Sequence, residues 1–234
     1  MKEIIKFCLS FFDYFTEKKI LNKLNEILRN KDAISLIDVG AHQGEYMSSI
    51  SKNFKIRSAH CFEPNPKVFK ILETKFNNNE NIELINVGVS NINDKIMFNE
   101  NIESSSSSIN DLNVNSKYYK KKFFLLNFLN NNEVTKKIQI QVINLNDFFI
   151  QKKIEKIDLL KIDTEGHELQ ILQGLKDKIN VVKLIHFEHH FDDMIIKNYT
   201  LSNIHDLLIQ NRFRKIFKIK MKFRKSFEYL YHRR

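Results

Sequence analysis

The segment LLKIDTEGHE, residues 159–168, turns from an apolar run into charge. Lys161, Asp163, Glu165, His167 and Glu168 fall within eight positions, with Gly166 among them. A second polar knot ends another apolar run at HFEHH, where His186, Glu188, His189 and His190 follow one another closely. Carboxylates and imidazoles together suit proton transfer, because a carboxylate can orient a hydroxyl while a base takes its proton. Asp163, Glu188 and His189 are the candidate acid–base residues. A metal set competes: on an extended strand His186, Glu188 and His190 share one face, and two histidines with a carboxylate suit a transition metal. A face inside a sheet is usually covered by helices, which makes His186 a core residue, so no metal is expected. His167 and Glu168 are expected on the outer side of a helix.

DVGAHQG, residues 38–44, offers different chemistry. Gly40 and Gly44 would let the backbone approach a ligand closely. The GxGxxG spacing is missing, and no GxxxxGK[ST] occurs, which excludes a P-loop. Glu63, in FEPNP, can hold both hydroxyls of a ribose with its two carboxylate oxygens. A glycine loop followed by such an acid fits a nucleoside, or else a tight turn beside a surface acid.

These residues need a frame. AISLIDVG (33–40), RSAHCFEP (57–64), IELINVGV (82–89), KIDLLKID (156–163) and VVKLIHFE (181–188) read as buried strands. Helical patterns lie between them at 43–52, from Pro66 to about Phe76, after Asp163 with Gly174 placed to end it, and at 201–210. Pro66 suits a first helical turn. Such alternation predicts a parallel sheet covered on both faces. Ligands then gather at the carboxyl ends of the strands, where all these polar groups lie. FKIKMKFR (217–224) alternates apolar and basic residues and predicts an edge strand with Lys218, Lys220, Lys222 and Arg224 outward, paired with FEYLYH (227–232). The strand is expected to end at Asp163 and the next helix to begin near Glu165 or Gly166.

IDVGAHQGEY, FEPNP, INVGVSN, INLNDF and IDLLKIDTEGHELQILQG together resemble the FkbM family of S-adenosylmethionine-dependent methyltransferases. The resemblance runs from about Ser35 to Glu188. It implies a Rossmann-like class I fold: α/β, with a seven-stranded, mostly parallel sheet in the order 3-2-1-4-5-7-6 and an antiparallel C-terminal hairpin. It implies S-adenosyl-L-methionine as cofactor. Asp38, Gly40, His42 and Gly44 would hold its methionine part, Glu63 its ribose, and Asn86 and Val87 would lie by the adenine. Asp163 would stand near the transferring methyl. The family usually has asparagine where this chain has His42. The implied acceptor is a hydroxyl of a sugar or related polar metabolite, in surface-polysaccharide or glycoconjugate synthesis. Ser104–Ser108 is expected as a mobile loop over the acceptor, with Ser107, Ser108 and Glu165 binding it.

Composition bounds the rest. The 234 residues suit one domain, 31–234, behind an N-terminal helical segment, 1–30, and with an insertion at about 99–135. Within the insertion, 117–129 could form a short helix. Two cysteines, Cys8 and Cys61, make no disulfide framework and suggest a reducing, cytoplasmic setting. Ile4, Cys8, Phe11, Phe12 and Phe15 form one helical stripe, which fits packing on the domain or on a second copy, or an interfacial membrane helix. No apolar run approaches the ~20 residues of a membrane span. Residues 211–234 hold ten Lys/Arg and one Glu, leaving only +1 of the +10 net charge to the rest. That local charge favours an anionic acceptor, and nucleic acid is not expected because no [DNS]PP[YFW]-like motif accompanies it.

Overall fold

Ile34–Val39 is buried along its whole length. Such a strand needs neighbours on both sides and cover on both faces. The computed structural model supplies both; it describes residues 2–100, 107–111, 113, 115–117, 119–120 and 136–234, with side chains from Phe12 onward. The elements are α1 (Lys2–Leu28), β1 (Ile34–Val39), α2 (Glu45–Asn53), β2 (Ile56–Phe62), α3 (Pro66–Phe76), β3 (Ile82–Ile85), β4 (Gly88–Ser90), β5 (Asp94–Glu100), β6 (Lys136–Asn144) and α4 (Leu145–Gln151). There follow β7 (Ile157–Ile162), α5 (Glu168–Gly174), a 3-10 turn at Lys176–Val181, β8 (Val182–His190), α6 (Leu201–Gln210), β9 (Phe213–Lys220) and β10 (Ser226–Arg233).

The main sheet has the order β3-β2-β1-β7-β8-β10-β9. Five neighbouring strands pair in parallel, and β10 runs antiparallel to both β8 and β9. Numbered within this sheet alone, the order is the expected 3-2-1-4-5-7-6, last strand reversed. The three skipped strands form a second sheet, β4-β6-β5. IELINVGV is therefore not one strand. It breaks at Asn86, whose side-chain amide donates to the Glu63 carbonyl at 2.8 Å and ties β3 to the end of β2. Gly88–Ser90 then leaves to pair with β6.

Each sheet face has its own core. Ile37, Val39, Leu160, Ile162, Ile185 and Phe187 pack on one side with residues of α4, α5 and α6. Leu36, Leu159, Leu184 and Leu230 pack on the other, under Ile20, Leu24 and Leu28 of α1 and Met47 and Ile50 of α2. The C-terminal half of α1 is thus part of the domain core. Among the described residues no helix is long and apolar enough to cross a membrane.

Four expectations need correction. The basic strand spans Phe213–Lys220 and not 217–224. Its partner β10 lies inside the sheet, with Tyr229, Leu230 and Tyr231 fully buried, so that of the hairpin's two strands β9 alone is an edge. Lys218, Lys220 and Lys222 are exposed as expected, but Arg224 turns to Asp13 of α1, 2.6 Å away. Strand β7 ends at Ile162 and α5 begins only at Glu168, because Glu165 and Gly166 hold φ of 51° and 97°. A right-handed helix cannot pass through that left-handed pair. Of the 117–129 stretch, only 117, 119 and 120 are among the described residues; Ser104–Ser106 also lie outside them.

Candidate active site

Gly40 leaves β1 with φ 81°, and Gly44 precedes α2 with φ 80°. A Cβ on Gly40 would stand 1.9 Å from the Asp163 carbonyl oxygen, so the turn after β1 and the end of β7 meet backbone to backbone. A Cβ on Gly44 would stand 2.4 Å from the Phe76 ring; that glycine serves the packing of α2 on α3. His42 between them has φ 48°. Asparagine and histidine are both among the residues enriched in that region, so the departure from the family's asparagine keeps the turn.

Glu63 is buried at the end of β2. Its carboxylate accepts the backbone N–H of His42 at 2.9 Å and of Asn65 at 2.8 Å. Burial lifts its pKa, and the two amides act against that. Each oxygen keeps further acceptor capacity, so a rigidly held acid remains able to take ligand hydroxyls. Asp38 is buried with one oxygen, Oδ2, lacking a hydrogen-bond partner. Burial pushes its carboxyl up to about 7, against the pull of Lys161. An orphaned buried oxygen beside a glycine turn is what a ligand's donor group would satisfy. These residues fit S-adenosylmethionine. Asn86 is exposed and Val87 half-buried at the end of β3, next to Glu63.

A second polar cluster is built on one face of β7, β8 and β10. Alternation along β8 puts His186, Glu188 and His190 together on the face covered by α1 and α2. Lys161 Nζ lies 3.5 Å from Asp163 and 3.3 Å from Glu228. His186 Nε2 lies 2.9 Å from the same Glu228 oxygen. His190 reaches Glu165 at 3.2 Å, Asp192 at 3.4 Å and Glu188 at 3.6 Å. Burial works against the charge of His190, but those three carboxylates outweigh it and raise the imidazole to about 10. The histidines are thus committed to different carboxylates. Among the described residues no group of three or more acids, histidines or cysteines has the geometry to hold a metal.

His189 points to the opposite face. Its ring packs 5.0 Å from the ring of Phe191 and 5.9 Å from that of Tyr199, and burial lowers it to about 3. Asp163 and Glu188 therefore share a site that His189 does not enter. His167 and Glu168 are also not outward. His167 Nε2 lies 2.9 Å from Ser90 Oγ, and burial lowers it to about 4. Glu168 is buried; it accepts the Gly166 N–H at 2.8 Å and the Tyr199 hydroxyl. Ser108 is buried and donates to the Glu165 carbonyl at 2.9 Å, with Ser107 beside it at the rim. Ser108 is thus a tie on the Asp163–Gly166 turn. The sequence reading missed Lys161, Glu228 and Arg224, which supply most of the local charge balance. The polar positions inside LLKID and FEYLYH were the available signal.

A sheet of this order, with a glycine turn after its first strand and an acid closing its second, defines a class I methyltransferase fold. Residues 38–215 match the methyltransferase FkbM domain. The chain belongs to that family. It is 21% identical over 193 residues to the 2-O-methyltransferase NoeI of Sinorhizobium fredii, covering 81% of this chain and 76% of that one. The crystal structure of methyltransferase FkbM from Methylobacillus flagellatus superposes with a TM-score of 0.52 at 15% identity, over 86% of this chain and 44% of that longer one. Magnesium protoporphyrin IX methyltransferase of Synechocystis, solved with S-adenosylmethionine bound, superposes with a TM-score of 0.54 at 8% identity, over 96% of this chain and 81% of that chain.

Proposed function

We propose that the protein transfers a methyl group from S-adenosyl-L-methionine to a hydroxyl of a sugar or related polar metabolite, in the making of a surface polysaccharide or glycoconjugate. The contact of Gly40 with Asp163 carries this reading, because it joins the cofactor turn to the acid at the acceptor side. The name of the Sinorhizobium relative, a 2-O-methyltransferase, supports oxygen as the methylated atom.

Asp38, Gly40, His42 and Gly44 hold the methionine part, Glu63 takes the ribose hydroxyls, and Asn86 and Val87 border the adenine. When bound, the cofactor supplies a methyl on a sulfonium that leaves as a thioether. Asp163 orients the acceptor hydroxyl in line with that methyl and takes its proton as the new O–C bond forms. Glu165, held by Ser108 and His190, lines the acceptor side. Asp163, Glu165 and Asp192 crowd this end, and Arg224 is already paired with Asp13. Those carboxylates favour a sugar hydroxyl over a phosphate oxygen as the methylated group.

The test is incubation with methyl-labelled cofactor and a panel of nucleotide sugars and glycans, read by mass spectrometry with fragmentation. Label on a sugar oxygen is expected. Label found only on nitrogen or phosphate would overturn the hydroxyl reading.

A further inference from the structure

The antiparallel register of β8 and β10 sets Glu188 directly opposite Glu228. Both side chains are only 8% exposed. Like charges directly opposite destabilise a sheet, and neighbouring buried carboxyls do not both ionise readily. Their surroundings differ. Lys161 Nζ and His186 Nε2 converge on one oxygen of Glu228, at 3.3 and 2.9 Å. Lys161 is fixed by register, lateral to Asp38 on β1 and His186 on β8, with the Tyr46 ring 5.6 Å from its ammonium. The His186 Nδ1 lies 3.0 Å from the Tyr46 hydroxyl. Burial keeps that imidazole neutral, so Nδ1 accepts and the protonated Nε2 faces Glu228. Glu188 lacks such support. His190 beside it is 3.6 Å away and also serves Glu165 and Asp192.

We propose that Glu188 is held as the neutral carboxylic acid, that Lys161 is the positioning residue which assigns the pair's negative charge to Glu228, and that Glu188 meets the acceptor as a hydrogen-bond donor while Asp163 is the base. The donor role rests on the proposed function, which puts the acceptor over β7 and β8; the protonation of Glu188 does not.

The groups facing Glu188 agree with this assignment. Burial opposes its ionisation most, joined by Asp163 and Glu165 from the turn after β7 and Glu228 from β10. His190 on its own strand, Lys161 on β7 and Arg224 from the turn before β10 favour ionisation, Lys161 being shared with Glu228 and Asp163. The outcome is a carboxyl pushed up to about 8. Glu228 moves the other way: Lys161 and His186 overcome its burial and hold it far below the usual carboxylate range.

Infrared spectra of the resting protein test the assignment without cofactor or acceptor. Wild type minus Glu188→Gln should show a carboxylic-acid carbonyl band at neutral pH that titrates away near pH 8. In Glu228→Gln the same band should lose its midpoint by about one unit or more, since Lys161 then faces Glu188 without a competing carboxylate. In Lys161→Gln the proton spreads to Glu228, so a band should survive the further change Glu188→Gln. No difference between wild type and Glu188→Gln at neutral pH overturns the proposal. Should Glu188→Gln fail to fold, an unshifted midpoint in Glu228→Gln overturns it alone. A missing methyl transfer would count against the proposed function and leave these spectra unaffected.

Discussion

Gly40 and Asp163 touch through their backbones: one added carbon on Gly40 would lie 1.9 Å from the Asp163 carbonyl oxygen. Asp163 N–H also donates to the Val39 carbonyl at 2.9 Å. The glycine turn after β1 and the acid at the end of β7, proposed to receive the cofactor and the acceptor, are therefore joined through their backbones. Gly40→Ala adds that clash to a left-handed φ, which alone costs about 1–3 kcal/mol for a residue with a side chain. Thermal unfolding should show a loss at least this large, and calorimetry should show no measurable cofactor binding. A stable variant that binds normally would mean the two turns can separate.

Asp163→Asn keeps the shape and removes the charge. Turnover should fall by about 10²-fold or more, the scale of a positioned acid–base group, with the protein folded and cofactor affinity little changed. Near-normal turnover would return the role of base to Glu188.

Glu168 holds the turn from behind, between the Gly166 N–H and the Tyr199 hydroxyl. Glu168→Ala leaves a buried donor unpaired and should cost about 1–3 kcal/mol in denaturant unfolding. A change within about 0.5 kcal/mol, typical of an exposed position, would put Glu168 on the surface after all.

Much of this frame was readable in advance. Ile34–Val39 and Ile157–Ile162 are mostly apolar runs with two polar positions each, and Gly40, Glu63 and Asp163 mark where such runs stop. What escaped depended on backbone angles or on neighbours distant in sequence. The phase of α5, and with it the inward turn of His167 and Glu168, follows from positive φ at Glu165 and Gly166, which residue types alone do not specify. In IELINVGV only Asn86 and Gly88 mark the break, and the move of Gly88–Ser90 to a second sheet depends on pairing with β6, more than fifty residues away in sequence. FEYLYH was legible only as the partner of a basic edge strand, not as a strand lying between that edge and β8. In the sheet, Glu228 instead faces Lys161 across two strands.

The protonated Glu188 also has a signature in stability. Its carboxyl in the folded protein, pushed up to about 8, lies above the usual 4.5, so the folded protein keeps a proton that the unfolded chain releases. The stability tied to this group is therefore full below the unfolded pKa and declines as pH rises towards 8. Glu188→Gln should remove that decline. Denaturant midpoints of both proteins across this range measure it; a wild type gaining stability relative to the variant as pH rises would reverse the sign and contradict the assignment.

Calorimetric titration of S-adenosylmethionine into wild type and Glu63→Ala goes most directly to the centre of the proposal. Glu63 is buried and fixed by two backbone amides, so its loss should weaken binding by about 1–3 kcal/mol, the scale of a lost charged hydrogen-bond acceptor. Saturable one-to-one binding to the wild type and that weakening are expected. No binding to the wild type, or equal affinity in the two proteins, would contradict a cofactor site at the ends of β1 and β2.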